Sequence, residues 1–197
     1  MSLRQVLQEL TAKRLSGDKT FYGRISTIKE VGSRPDVIAH IYKFFAVGGS
    51  KIIDGEIFYY SKLGKYFLLV DRTPVYIKGI ERFITGFAVN ANVLANVQTL
   101  TTGTPDGFGY SVKTWTDKLT SYVNFFSGYL SMNQLPVAAL PSGAYEVTVS
   151  RSTEIIYKIK VGDRIIMNGT NYKVDLVDDT RYTNNAYSCR VVEDDRK

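Results

Sequence analysis

What the sequence has little of narrows its chemistry first. It holds one cysteine, Cys189, and one histidine, His40. A single thiol excludes an internal disulfide and fits a reducing compartment. One histidine beside one cysteine leaves too few soft ligands for a structural zinc site. Nucleophilic catalysis of the Cys–His or Ser–His–Asp kind would have to hang on His40 alone. That residue sits between Ala39 and Ile41 at strand-like spacing, where a structural or surface role is the simpler reading. Cys189 lies in the run AYSCRVV and reads as a small strand residue. No apolar run approaches the roughly 20 residues of a membrane-spanning helix. The segment MSLRQVLQELTAKR has no uninterrupted apolar stretch of the signal-peptide kind. A soluble chain with no membrane partner is expected.

Other site chemistries are also thinly supported. Gly48-Gly49-Ser50-Lys51 lacks the G-x-x-x-x-G-K-[ST] order of a phosphate loop, and no helical pattern follows it, so a turn is expected there. Asp175, Asp178 and Asp179 have no EF-hand spacing and read as solvated loop acids. Nothing in the order of the 19 acids selects a carboxylate pair for glycosidic chemistry. The expectation is therefore no catalytic residues, no bound metal and no cofactor. The 25 basic side chains against 19 acids give a net charge of +6, scattered among strands rather than gathered on one face. That permits contact with a polyanion without specifying one.

What is there in quantity is aromatic and β-branched residues, with 14 tyrosines and 10 phenylalanines. Runs such as DVIAHIYKFFA (36–46), KIIDGEIFYY (51–60) and KYFLLV (65–70) favour strands, and Gly-, Ser- and Pro-containing turns separate them. Ala144 to Ser150 alternates as a half-buried strand, Ile155 to Lys160 follows it, and Ala186 to Val192 reads as the last strand. Asn168-Gly169 between Arg164–Met167 and Tyr172–Val177 is a hairpin signal, because both residues tolerate positive φ. The first residues read differently. Ser2 as N-cap, Gln5 three residues on, and Leu3, Val6, Leu7 and Leu10 predict a helix within residues 1–18. The fold expected is mainly β, with small barrel or sandwich modules built from hairpins and one N-terminal α-helix. The expected division is a β-rich domain over 19–135 with a loop or arm near 99–135, a C-terminal β-module over 142–193, and a frayed tail at 194–197.

Doubled aromatics suggest a two-sided sheet. In Tyr59-Tyr60, Phe44-Phe45 and Phe125-Phe126, adjacent strand residues point to opposite faces. One ring fills the core while the other needs a second cover, which a neighbouring subunit can supply. Leu7, Tyr59, Tyr60, Phe125, Phe126, Asn168 and Gly169 are the candidate oligomer contacts. There is also an internal echo between GEIFYYSKLGKYFLLVD (55–71) and GDRIIMNGTNYKVDLVD (162–178), with Tyr66 and Tyr172 out of register by one. Two hydrophobic hairpins can look alike, or the chain can hold two similar β-units with a boundary near 136–142. The residues leave both open.

The stretch from Ala144 to Asp194 resembles the C-terminal β-module of neck and tail-junction proteins of tailed bacteriophages. It carries a hydrophobic-x-hydrophobic-x-x-Gly-Asp-Arg-hydrophobic run, a tight turn, a Tyr-Lys-Val strand, an acidic loop after Leu-Val-Asp and a last strand ending in acids. Asp54 to Arg72 is similar to the first hairpin of the same layout. The resemblance implies a non-enzymatic virion component, made in the bacterial host cytoplasm, that forms a homo-oligomeric ring at the head–tail junction. Its implied partners are itself, portal or adaptor and tail proteins, and packaged DNA without sequence specificity. The alternatives are a tail or baseplate component and an OB-like barrel binding single-stranded nucleic acid through stacked Tyr and Phe rings.

Overall fold

The computed structural model describes residues 7–14, 17–27, 41–105, 107–126, 144–152, 155, 157–180, 182 and 185–196. Twelve strands are described: β1 Gln8–Ala12, β2 Lys19–Thr27, β3 Ile41–Val47, β4 Ile57–Tyr60, β5 Lys65–Ile77, β6 Ile80–Asn90, β7 Val93–Thr102, β8 Lys113–Phe126, β9 Ala144–Ser150, β10 Arg164–Met167, β11 Thr170–Asp178 and β12 Ala186–Glu193. All pair antiparallel. They form two closed barrels in the orders β1-β2-β3-β6-β5-β4 and β7-β8-β9-β12-β11-β10. The chain is mainly β, as its composition predicts. Closure leaves few edges, so each barrel can bury an apolar interior while facing solvent elsewhere. Phe21, Phe44, Phe58 and Phe67 fill the first interior, with Phe58 and Phe67 stacked at 5.8 Å. Val97, Val147, Ile165 and Val191 fill the second.

The two barrels repeat one plan. Taking the six strands of each in chain order, both run 1-2-3-6-5-4. Particular hydrogen bonds recur as well. Leu69 N–H donates to Glu56 O and Val174 N–H to Asp163 O, both at 2.9 Å. Gly48 N–H donates to Arg82 O at 2.7 Å and Arg151 N–H to Asn185 O at 3.0 Å. Ala91 N–H donates to Tyr66 O and Asp194 N–H to Asn171 O, both at 2.9 Å. A bulge interrupts β5 between Leu69 and Asp71, and another interrupts β11 between Val174 and Leu176. The echo in the sequence is therefore a structural repeat. It also explains the tyrosine offset: Phe67, opposite Phe58, corresponds to Tyr172, opposite Ile165.

The helix expected within residues 1–18 is not formed over Gln8–Ala12. Residues 1–6 lie outside those described, and Gln8–Ala12 is a strand paired to β2 on one side and β4 on the other. Leu10 and Ala12 point inward at period two while Glu9 and Thr11 do not. A helix shorter than about 12 residues is marginal alone, and two ladders of hydrogen bonds outweigh it.

The domain boundary is also displaced. It falls at Ala91-Asn92, between β6 and β7, rather than near 136–142. The expected arm over 99–135 is largely the β7–β8 hairpin, whose described part ends at Phe126. Thr101 faces Thr114, and Asn96 and Gln98 donate to Asp117, so the outer face lacks apolar alternation. Ile155 to Lys160, expected as a strand, has no strand among its described residues. At Asn168-Gly169, φ is 50° and 81°, a two-residue turn with both centres in the left-handed region. Nothing lies within 4 Å of a Cβ built on Gly169. Gly169→Val is therefore expected to act by backbone strain alone, lowering stability by about 1–3 kcal/mol in denaturant melts. A wild-type midpoint would contradict the turn geometry.

Candidate functional site

Each barrel is clasped by a buried acid just before its short fourth strand. Glu56 is 1% exposed and accepts Ile53 N–H at 3.1 Å and Arg14 Nε–H at 2.9 Å. The Arg14 guanidinium also pairs with its other oxygen and donates to Lys51 O at 2.9 Å. In the second barrel Asp163 accepts Lys160 N–H at 2.8 Å, Tyr157 O–H at 2.8 Å and Thr99 Oγ1–H at 2.7 Å. Arg14 follows β1 as Thr99 follows the matching part of β7, so both clasps tie the acid to the strand that closes the barrel. These carboxylates are spent on holding backbone. They are anchors rather than acids or bases presented to a substrate.

The seam between the barrels is built from β5, β6, β8 and β9. The Tyr66 and Tyr122 rings stack at 3.7 Å and 15°. A hydrogen bond with Tyr66, and behind it burial, pushes the Tyr122 hydroxyl pKa up. Asn124 Nδ2 donates to Asn90 O at 2.8 Å, and Ser150 Oγ donates to Gly55 O at 2.6 Å. Leu68, Val70 and Val89 of the first barrel share an apolar cluster with Tyr182 and Ala186 of the second. Stacked rings add about 0.5–1.5 kcal/mol beyond their buried area, and each neutral hydrogen bond about 1 kcal/mol.

A second cluster sits at the end of β12. The Asp194 carboxylate, 1% exposed, takes Arg164 Nε–H at 3.0 Å and Arg196 Nε–H at 2.6 Å. Arg196, with Arg164 behind it, holds this carboxyl down to about 2 against the opposing effect of its burial. Both guanidinium groups lie over Trp115, at 3.8 and 5.0 Å from the ring centre. The described tail residues 194–196 are thus pinned, not frayed as expected, because two cations and an indole hold one buried anion. Beside them lies an open cleft of ≈ 520 Å³ lined by Gly169, Thr170, Asn171, Glu193, Asp194 and Asp195.

The expected contact residues are not brought together. Tyr60 fills the first barrel's interior and Leu7, just before β1, is buried, so neither offers a surface to a neighbour. Phe125 packs on Tyr145 and Tyr172 at 5.1 and 5.5 Å within its own barrel, and Phe126 ends β8 opposite Glu146. Tyr59 lies on the outer side of β4 beside Tyr66, at 5.0 Å. Asn168 and Gly169 are exposed, and Gly169 borders the cleft.

His40 lies outside the described residues. Burial pushes the Cys189 thiol pKa far up, so it is no ready nucleophile. Asp175 pairs with Arg190, Asp179 with Arg151 and Lys158, and Asp178 accepts Thr180 N–H and Oγ1–H. Among the described residues no three His, Cys, Asp or Glu side chains gather as metal ligands, and no helix is long and apolar enough to cross a membrane. Sequence reasoning missed Tyr66, Tyr122 and Asn124. No local pattern marks them: Thr-x-Tyr at 120–122 recurs at 20–22, 170–172 and 180–182 and so selects none of these places.

Gly55 tests the seam. Its φ is 69°, and a Cβ there would meet Asn185 O at 2.4 Å and Ser150 Oγ at 2.8 Å across the seam. Gly162, its counterpart, has φ 93° and nothing within 4 Å. Both Ala variants carry backbone strain, but only Gly55→Ala adds a clash, which should lower stability by about 1–3 kcal/mol more in urea melts. Equal losses would mean the barrels are not clamped there. Compared with known protein families, curated proteins and solved structures, the chain matches none of them.

Proposed function

We propose that this protein is a non-enzymatic structural subunit that assembles with copies of itself into a ring at the head–tail junction of a tailed bacteriophage. There it would close or extend the DNA channel. The observation that carries the self-assembling part is the seam: one barrel docks through its second strand on the β5–β6 side of another barrel of the same plan. Such a contact joins two different faces and is heterologous in kind, and heterologous contacts close into rings when the rotation permits. The phage assignment rests on the resemblance of 144–194 and 54–72. Both stretches carry the buried-acid hairpin, with Glu56 and Asp163 as the anchors. A net charge of +6 suits a subunit lying near packaged DNA without reading its sequence.

The reading predicts that the purified full chain forms a defined oligomer of more than two copies by light scattering, with mass falling on dilution. A monomer at every concentration, alone or mixed with portal and tail proteins, would overturn it.

A further inference from the structure

The seam within the chain has an unfilled counterpart on the second barrel. In the first barrel, Tyr66 and Asn90 receive β8: Tyr122 stacks on the first and Asn124 donates to the backbone of the second. The matching positions of the second barrel are Asn171 and Glu193. Asp194 N–H donates to Asn171 O as Ala91 N–H donates to Tyr66 O, which fixes the correspondence. At that place lies the open cleft bordered by Asn171, Glu193 and Asp195.

The strand of the first barrel that corresponds to β8 is β2. Tyr22 stands opposite Glu9 as Tyr122 stands opposite Leu94, and Arg24 stands opposite Phe45 as Asn124 stands opposite Thr148. Tyr22 is 49% exposed, and Arg24 is exposed. Each barrel therefore presents half of the contact that the chain already makes once. Within the seam the halves are apolar or neutral. On the outer faces they are charged and of opposite sign: Arg24 on one, Glu193 and Asp195 on the other. Asp194 is already bound by Arg164 and Arg196, and Asp195 also acts on Arg196, which leaves Glu193 as the main group to face an incoming cation.

We propose that a second copy of this chain docks its β2 in the cleft, Tyr22 over Asn171 and Arg24 toward Glu193 and Asp195, repeating between subunits the seam that joins the barrels within each. The inference rests on the self-assembling reading and names its surface. A covalent linker holds the internal seam in register, whereas two free subunits need complementary charge to find the same register. Because donor and acceptor faces lie on different barrels, each copy can give one contact and receive another.

The test uses the full chain by sedimentation velocity at several salt concentrations. Arg24→Glu and Glu193→Arg, both at exposed positions, should each weaken self-association by about tenfold or more while leaving melting temperature unchanged. An equimolar mixture of the two variants should assemble again, because every contact in an alternating array is then oppositely charged. Tyr22→Ala should weaken assembly with no rescue by mixing. Arg24→Glu assembling like wild type, or no rescue in the mixture, would overturn this surface while leaving the ring reading standing. A wild-type chain that stays monomeric would overturn both.

Discussion

The whole molecule depends on closing a six-stranded sheet twice with a very short strand. β4 and β10 have four residues each, too few to hold a barrel shut by backbone ladders alone. A buried carboxylate placed immediately before each strand supplies the rest. It binds a backbone N–H three residues upstream and a side chain from the neighbouring strand's line, Arg14 just past β1 or Thr99 within β7. Burying a carboxylate is unfavourable unless every oxygen is satisfied, so the acid also selects the one register in which its partners are in place. The two barrels solve this with different partners, a guanidinium in one and two hydroxyls in the other. The clasp is thus a demand of geometry rather than of one residue pair.

Much of the strand content was legible because it rests on local chemistry. Alternation marked β9 as a strand, although Glu146, Thr148 and Ser150 are buried too, so it is not the half-buried strand expected. Asn168-Gly169 marked the β10–β11 turn, and the Gly-acid starts at 55 and 162 marked the repeat. The misreadings share a cause. Gln8–Ala12 has helix-compatible spacing, and only its two strand neighbours, with partners 7 to 48 residues away along the chain, decide for β. The β7–β8 hairpin carries threonines and amides on its outer face, so a strand looked like a loop. The boundary at Ala91-Asn92 has no proline or glycine to announce it. Seam residues were hidden for a related reason: Tyr122 and Tyr22 differ in role only through what covers them, which no local pattern records.

The repeat also organises the charge of the molecule. Where the first barrel offers Tyr66, Asn90 and Ala91 to its partner barrel, the second offers Asn171, Glu193 and Asp194 to solvent and to its own pinned tail. Duplicated units that stack on themselves must either cap their outer faces or use them. Trp115, Arg164 and Arg196 cover one part of that face, while the cleft beside them stays open. This combination gives a subunit whose outer faces differ from its internal seam in charge but not in plan.

Copies of this chain are proposed to form a closed ring through barrel-to-barrel contacts of the kind seen once within it. Negative-stain microscopy of the purified protein, read beside the particle mass, measures this most directly. Closed rings are expected, in which the barrel-sized densities number twice the subunits given by the mass. Isolated two-lobed particles, or rings with one density for each subunit, would contradict it.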